Sequence, residues 1–157
     1  PKVFLSTLGQ GTFLSTQYIR HYSTPLYTPE PDVVHELFGH ASILASPIFA
    51  KLNRKVGLAV GRARDDDELE RLGRIYWFTI EFGVVREADR VKAYGAGLLS
   101  SAGEQRSMAD AELRPLDFAA MEQQEYDVTK YQPVLFCAES VAELDAAMND
   151  YLNGWPY

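Results

Sequence analysis

Leu69, Leu72, Tyr76, Ile80 and Gly83 recur at spacings of three and four within residues 62–85, RARDDDELERLGRIYWFTIEFGVV. That spacing traces one apolar face and predicts the longest helix of the chain. Asp65, Asp66, Asp67 and Glu68 open it, where acidic groups suit the positive end of the helix dipole. VAELDAAMNDYL (141–152) predicts a second amphipathic helix. SPIFAKLNRKV (46–56) predicts a third, with Ser46 as cap, Pro47 at its first position and Gly57 as its stop. VLFCAES (134–140) is a continuous apolar run of strand length and reads as a short buried strand. The opening PKVFLSTLGQG reads as the end of a short helix or a loop, and residues 13–21 as extended chain. Residues 23–31, STPLYTPEP, hold three prolines and exclude an interior helix. They make a stiff approach to a helix starting near Pro31 or Asp32 and ending near Gly39. KAYGAGLLSSAGE (92–104) reads as a Gly-rich turn leading into a short helix. The predicted class is mainly α, an α+β fold with a little β structure.

Composition narrows the function classes. With 157 residues, 46% of them hydrophobic, the chain suits a single domain with one sizeable core. A net charge of −7 disfavours nucleic acid and anionic membrane as partners. No apolar run reaches membrane-spanning length, and no charged-then-apolar leader opens the sequence. The single cysteine, Cys137, excludes an internal disulfide framework and fits a reducing cytoplasm.

Chemistry concentrates in HELFGH, residues 35–40, which holds two of the three histidines. His35 and His40 are five apart, not four as in the H-E-x-x-H zinc proteases. In an ideal helix, four residues leave two side chains about 40° apart and five leave them about 140° apart. Two ligands here therefore need a local distortion or a helix that ends between them. A third candidate ligand is Glu81, a carboxylate within the apolar stretch IYWFTIEFGVV (75–85). A buried carboxylate requires a strong partner, either a cation or a basic side chain. Two histidines and one carboxylate form the ligand set of non-haem Fe(II) oxygenases, and zinc with the same set is chemically allowed.

Longer motifs carry a resemblance. QYIRHYSTPLYTPEPDVVHELFGH (17–40), IYWFTIEFG (75–83), KAYGAGLLSSAGE (92–104) and EYDVTKYQPVLFCAES (125–140) closely resemble the aromatic amino acid hydroxylases, which are pterin-dependent, iron-containing monooxygenases. The resemblance covers nearly the whole chain and implies that family's helical catalytic-domain fold. It implies His35, His40 and Glu81 as Fe(II) ligands, with O2 and a tetrahydropterin as co-reactants. It further implies Arg20 on the carboxylate of an aromatic amino acid substrate, whose planar group a guanidinium fork fits. Thr28 and Ser100 match substrate-binding positions, and Asp32 and Tyr76 fall around the metal rather than on it. Asp32 reads equally well as a helix cap, as does Ser100 without the family. Glu36 matches the glutamate that faces the pterin, and Phe4, in FLSTL, the phenylalanine that stacks on it.

Trp77 matches the enzymes acting on phenylalanine and tyrosine, and Val128 matches phenylalanine hydroxylase, where tyrosine hydroxylase has an acid. The implied reaction is hydroxylation of L-phenylalanine to tyrosine. A hydroxylase of different regiochemistry and a non-catalytic module holding metal or aromatic ligand are the alternatives. Against the family, residues 1–157 read as one truncated catalytic domain starting at the pterin-stacking segment. Its pocket is then more open, or completed by a second copy or a partner chain.

Overall fold

The computed structural model describes residues 2–26 and 30–156. Helix α1 (Lys2–Gly9) is followed by chain without regular secondary structure over residues 12–21. A continuous helical stretch then passes from the π-helical segment π1 (His35–Ala41) into α2 (Ser42–Leu44). Helix α3 (Pro47–Val60) precedes α4 (Asp66–Tyr76), which widens into a second π-helical segment, π2 (Trp77–Glu81). Strands β1 (Val84–Glu87) and β2 (Arg90–Ala93) form a hairpin. Short helices α5 (Ala96–Leu99) and α6 (Ala102–Ser107), strand β3 (Glu112–Pro115), helix α7 (Phe118–Gln123), strand β4 (Val134–Ala138) and helix α8 (Val141–Gly154) complete the order. The predicted class, mainly helical with a little β structure, is what the chain adopts.

The strands form one sheet in the order β2-β1-β4-β3. β1 pairs antiparallel with β2, while β4 runs parallel to both β1 and β3. Strand β4 sits between two neighbours and is buried along its whole length, as its unbroken apolar run requires. The main core lies between the helices and the sheet. Leu52 and Val56 of α3, Leu72 and Ile75 of α4, Phe136 of β4, and Leu144 and Met148 of α8 are all at most 1% exposed. Each such side chain contributes about 1.5–3 kcal/mol by leaving water.

Three expected boundaries move. Helix α3 does not stop at Gly57 but continues to Val60 and Gly61. Gly57 is a packing glycine: a Cβ there would come within 2.0 Å of the Gly9 nitrogen, so it lets α1 lie directly on α3. The stretch 62–85 is not one helix. It starts at Asp66, with Asp65 as cap accepting from the Glu68 amide, and gives way to strand β1 at Val84. The β-branched pair Val84–Val85 pairs with β2 and β4 in place of a further helical turn. The helix expected to end near Gly39 runs on to Leu44, because a π-helical turn, not a terminus, absorbs the histidine spacing.

Candidate metal centre

π1 resolves the five-residue spacing. A π-helix closes its hydrogen bonds from i to i+5, so residues five apart share a face as residues four apart do in an α-helix. His35 and His40 accordingly stand side by side, with ring centroids 4.7 Å apart. The third group arrives on π2, where the Phe82 amide donates to the Trp77 carbonyl across the same i to i+5 interval at 2.8 Å. That segment turns Glu81 toward the histidines. Its carboxylate lies 3.0 Å from His40 Nε2 and 3.5 Å from His35 Nε2. Donor atoms of the three residues all fall within 4.8 Å of one another.

Proton positions follow from the hydrogen bonds. The Ser100 hydroxyl donates to the Ala96 carbonyl at 2.7 Å and so accepts from His35 Nδ1 at 2.9 Å. A proton on Nδ1 leaves the Nε2 lone pair of neutral His35 facing the Glu81 carboxylate. Burial lowers the His35 pKa and favours that neutral form, against the pull of Glu81. His40 is buried too, but Glu81 outweighs the burial and raises its pKa. Burial works against the Glu81 charge, and the two histidines overcome it, leaving the pKa below its ordinary value. An imidazole lone pair aimed at a carboxylate oxygen repels it unless a cation lies between them. The donor set therefore fits a divalent metal, and one facial His–His–carboxylate set leaves coordination positions open.

The centre separates two cavities. One, of about 420 Å³, is lined by Arg20, Tyr76, Trp77, Ser100, Tyr126 and Val128 together with His35 and Glu81. The other, of about 300 Å³, is lined by Phe4, Phe13, Thr16, Glu36 and the three metal-ligand candidates. Both reach sizes suited to a small-molecule ligand. Every described residue singled out from the sequence thus borders the centre or one of its cavities, apart from Asp32, which lies just behind. Thr28 lies outside the described residues.

Asp32 is fully buried and anchors the first cavity's polar end. It accepts Arg20 Nε at 2.9 Å and Nη2 at 2.7 Å, and the backbone amides of Arg20 at 2.8 Å and His35 at 3.0 Å. Burial would raise its pKa, but these donors, Arg20 above all, hold it well below the usual carboxylate range. The Arg20 fork is thus occupied by Asp32. Among the described residues, its Nη1 meets only the Pro25 and Ser100 carbonyls, each at 3.4 Å. Asp32 both caps π1 and aims Arg20.

In the second cavity, Glu36 is 5% exposed and, among the described residues, accepts only the Thr16 amide, at 3.3 Å, through Oε1. Its Oε2 is buried without a partner, and burial raises its pKa. Phe4 is held in α1 against Phe13 and Tyr76, with centroids 5.3 and 6.0 Å away. Sequence reasoning missed Phe13, Tyr126 and Gln132. Tyr126 stacks on Trp77 at 4.2 Å and 15°, and Gln132 accepts the Trp77 indole N–H at 2.9 Å. Tyr126 sits two positions from Val128, the one available signal, whereas nothing local marks Gln132.

Residues 1–155 match the family described as biopterin-dependent aromatic amino acid hydroxylase. The phenylalanine 3-hydroxylase of Streptomyces coeruleorubidus is 44% identical over 148 residues, 94% of this chain and 53% of that protein. The phenylalanine-4-hydroxylase of Rattus norvegicus is 48% identical over 142 residues, 89% of this chain and 31% of that protein. Among solved structures, phenylalanine hydroxylase from Chromobacterium violaceum, with bound iron(III) and 7,8-dihydrobiopterin, aligns with a TM-score of 0.87 at 30% identity. That alignment covers 96% of this chain and 56% of the other. The chain thus spans about half the length of the first relative and under a third of the second. On its sequence and its fold, this chain belongs to the biopterin-dependent aromatic amino acid hydroxylases.

Proposed function

We propose that these residues form the iron-binding part of a monooxygenase that hydroxylates L-phenylalanine to tyrosine, using O2 and a tetrahydropterin. The observation that carries this reading is the convergence of His35, His40 and Glu81 between two cavities, each with its own recognition chemistry. Iron, when bound, supplies the activation of oxygen. The chain's own residues bind and orient. Ser100 keeps the proton on His35 Nδ1, so that Nε2 stays free as a ligand. Arg20, aimed by Asp32, takes the amino acid carboxylate through Nη1. Trp77, Tyr126 and Val128 give the ring an apolar wall and exclude water from it; Val128 leaves a ring hydroxyl without a partner there. On the other side, Phe4 and Phe13 offer flat faces to a pterin, and the unpaired Glu36 Oε2 accepts from its N–H edge. Tyr76 packs behind the centre, its ring 6.4 Å from that of His40. The lone buried thiol of Cys137 suits a cytoplasmic setting.

A second reading changes only the ring position. The relative named phenylalanine 3-hydroxylase matches over 94% of this chain, so meta-hydroxylation is the specific alternative. The deciding experiment reconstitutes the protein anaerobically with Fe(II), adds phenylalanine and oxygen with and without tetrahydropterin, and separates para- from meta-tyrosine. Pterin-dependent para-tyrosine supports the main reading, and meta-tyrosine the second. No amino acid product, with one iron bound per chain, rejects both. The assay is run across protein concentrations, so that any contribution of a second copy to the pterin cavity shows as a concentration dependence.

A further inference from the structure

Gln132 lies just before β4, is 2% exposed, and touches neither the candidate metal ligands nor either cavity. All its side-chain hydrogen-bonding capacity is nevertheless directed at one wall of the first cavity. Its Oε1 accepts the Trp77 indole N–H at 2.9 Å. Its Nε2 donates to the Asp127 carbonyl at 3.2 Å and to the Lys130 carbonyl at 3.0 Å. Its backbone amide donates to the buried Glu104 carboxylate on α6 at 3.2 Å, which ties the residue to the body of the fold. Asp127 and Lys130 bracket a tight turn, closed by the Lys130 amide on the Asp127 carbonyl and by Asp127 Oδ1 accepting from Thr129. That turn carries Val128 into the cavity wall and follows directly on Tyr126, which stacks on Trp77.

We propose that Gln132 is a positioning residue that locks Trp77 and the 126–130 turn together, so that Trp77, Tyr126 and Val128 act as one rigid wall for the substrate ring. The inference rests on the proposed reading of the first cavity as the aromatic amino acid site. Trp77 and the turn come from segments some fifty residues apart, Gln132 lying 55 positions after Trp77. Without the amide, the segment keeps the stack of Tyr126 on Trp77, its edge contact with Phe78 and the Arg74–Glu125 ion pair, but the exposed turn loses the bonds to its Asp127 and Lys130 carbonyls. A primary amide suits the role because it accepts from the indole and donates twice to carbonyls at once. No carboxylate or hydroxyl of similar reach does both.

The test compares wild type, Gln132→Met, Trp77→Phe and the double variant, all reconstituted with Fe(II). Methionine keeps the length and volume and removes the three side-chain hydrogen bonds. Phenylalanine at 77 removes the N–H donated to Gln132 and trims the ring that stacks on Tyr126, so the double variant separates the bond from the stack. The Gln132→Met protein should retain iron as wild type does, raise the KM for phenylalanine about tenfold and change kcat less. Amides of residues 127–130 should exchange with deuterium faster, while those of β4 stay protected. In the Trp77→Phe background the same change should have a smaller effect on KM, because the shared bond is already gone. Unchanged exchange at 127–130 in Gln132→Met overturns the inference, as does full additivity of the two substitutions. A wild type that turns over no phenylalanine rejects the proposed function instead, and the exchange measurement still reports on Gln132. If Gln132→Met does not fold, Gln132→Glu decides, because it keeps the acceptor for the indole and loses both donations to the turn: faster exchange at 127–130 supports the lock, and unchanged exchange overturns it.

Discussion

Glu104 shows how a single group can set the acid–base behaviour of the fold. It is 1% exposed, one carboxylate oxygen accepts the Gln132 amide, and the other has no hydrogen-bond partner among the described residues. Burial pushes its pKa up from 4.5 to about 7. Between those values the folded chain holds a proton that the unfolded chain has released, so this group makes stability fall as pH rises from 4.5 to about 7. Urea midpoints measured across that window should decline more steeply in wild type than in Glu104→Gln; parallel profiles would count against the assignment. Arg20 gives a second prediction. Arg20→Lys keeps the charge but loses the two-armed hold on the buried Asp32. The KM for phenylalanine should rise at least about tenfold, and stability should drop by about 1–3 kcal/mol, with iron content unchanged. Residue-scale chemistry was legible wherever residue type and surroundings disagreed in sequence. Glu81 stood out because it is an acid among apolar neighbours. Gln132 did not, because YQP has no such contrast and its partners lie far away along the chain. Asp32 accepts the His35 amide as a cap does and also holds the Arg20 guanidinium, a partner that the local sequence does not show.

Elements were legible where a long period repeats. The amphipathic patterns of α4 and α8 and the apolar run of β4 were all found, but three four-residue strands were not. RVKA and ELRP are too short to show alternation, and VVRE continues a helical pattern without a break. The π-helical turns leave only an indirect trace, the anomalous interval between the histidines. Their packing yields two predictions. A Cβ on Gly39 would lie 2.6 Å from the Ala96 carbonyl oxygen and 3.0 Å from its Cβ, so Gly39→Ala must push π1 away from α5. Ser100 follows α5 and holds His35, so iron affinity should fall about 10–100-fold by equilibrium dialysis, although no ligand was changed. Gly57→Ala acts elsewhere, forcing α1 off α3. It should cost about 1–3 kcal/mol, and it should weaken pterin binding through Phe4 while iron affinity stays within about twofold of wild type. Loss of iron in Gly57→Ala, or its full retention in Gly39→Ala, would contradict this division of labour.

At the scale of the molecule, a metal held by His35, His40 and Glu81 would cross-link π1 to π2. Anaerobic Fe(II) at 100 times its dissociation constant should stabilise the fold by about 2.7 kcal/mol, and Glu81→Ala should abolish the increment. A melting temperature unaffected by Fe(II) in wild type would mean that the three side chains do not bind it together. The order of strands has a consequence for synthesis on the ribosome. All three candidate ligands lie within the first 81 residues, yet the strand joining β1 to β3 is β4, at Val134–Ala138. A growing chain therefore presents its metal donors long before the sheet that supports π2 can close. Parallel pairing between such distant segments forms late. A nascent chain stalled near residue 110 should be readily cut by protease and should not protect bound iron from a chelator. Extension past α8 should confer both protections in one step, making iron capture an event that follows the emergence of β4 and α8 from the ribosome.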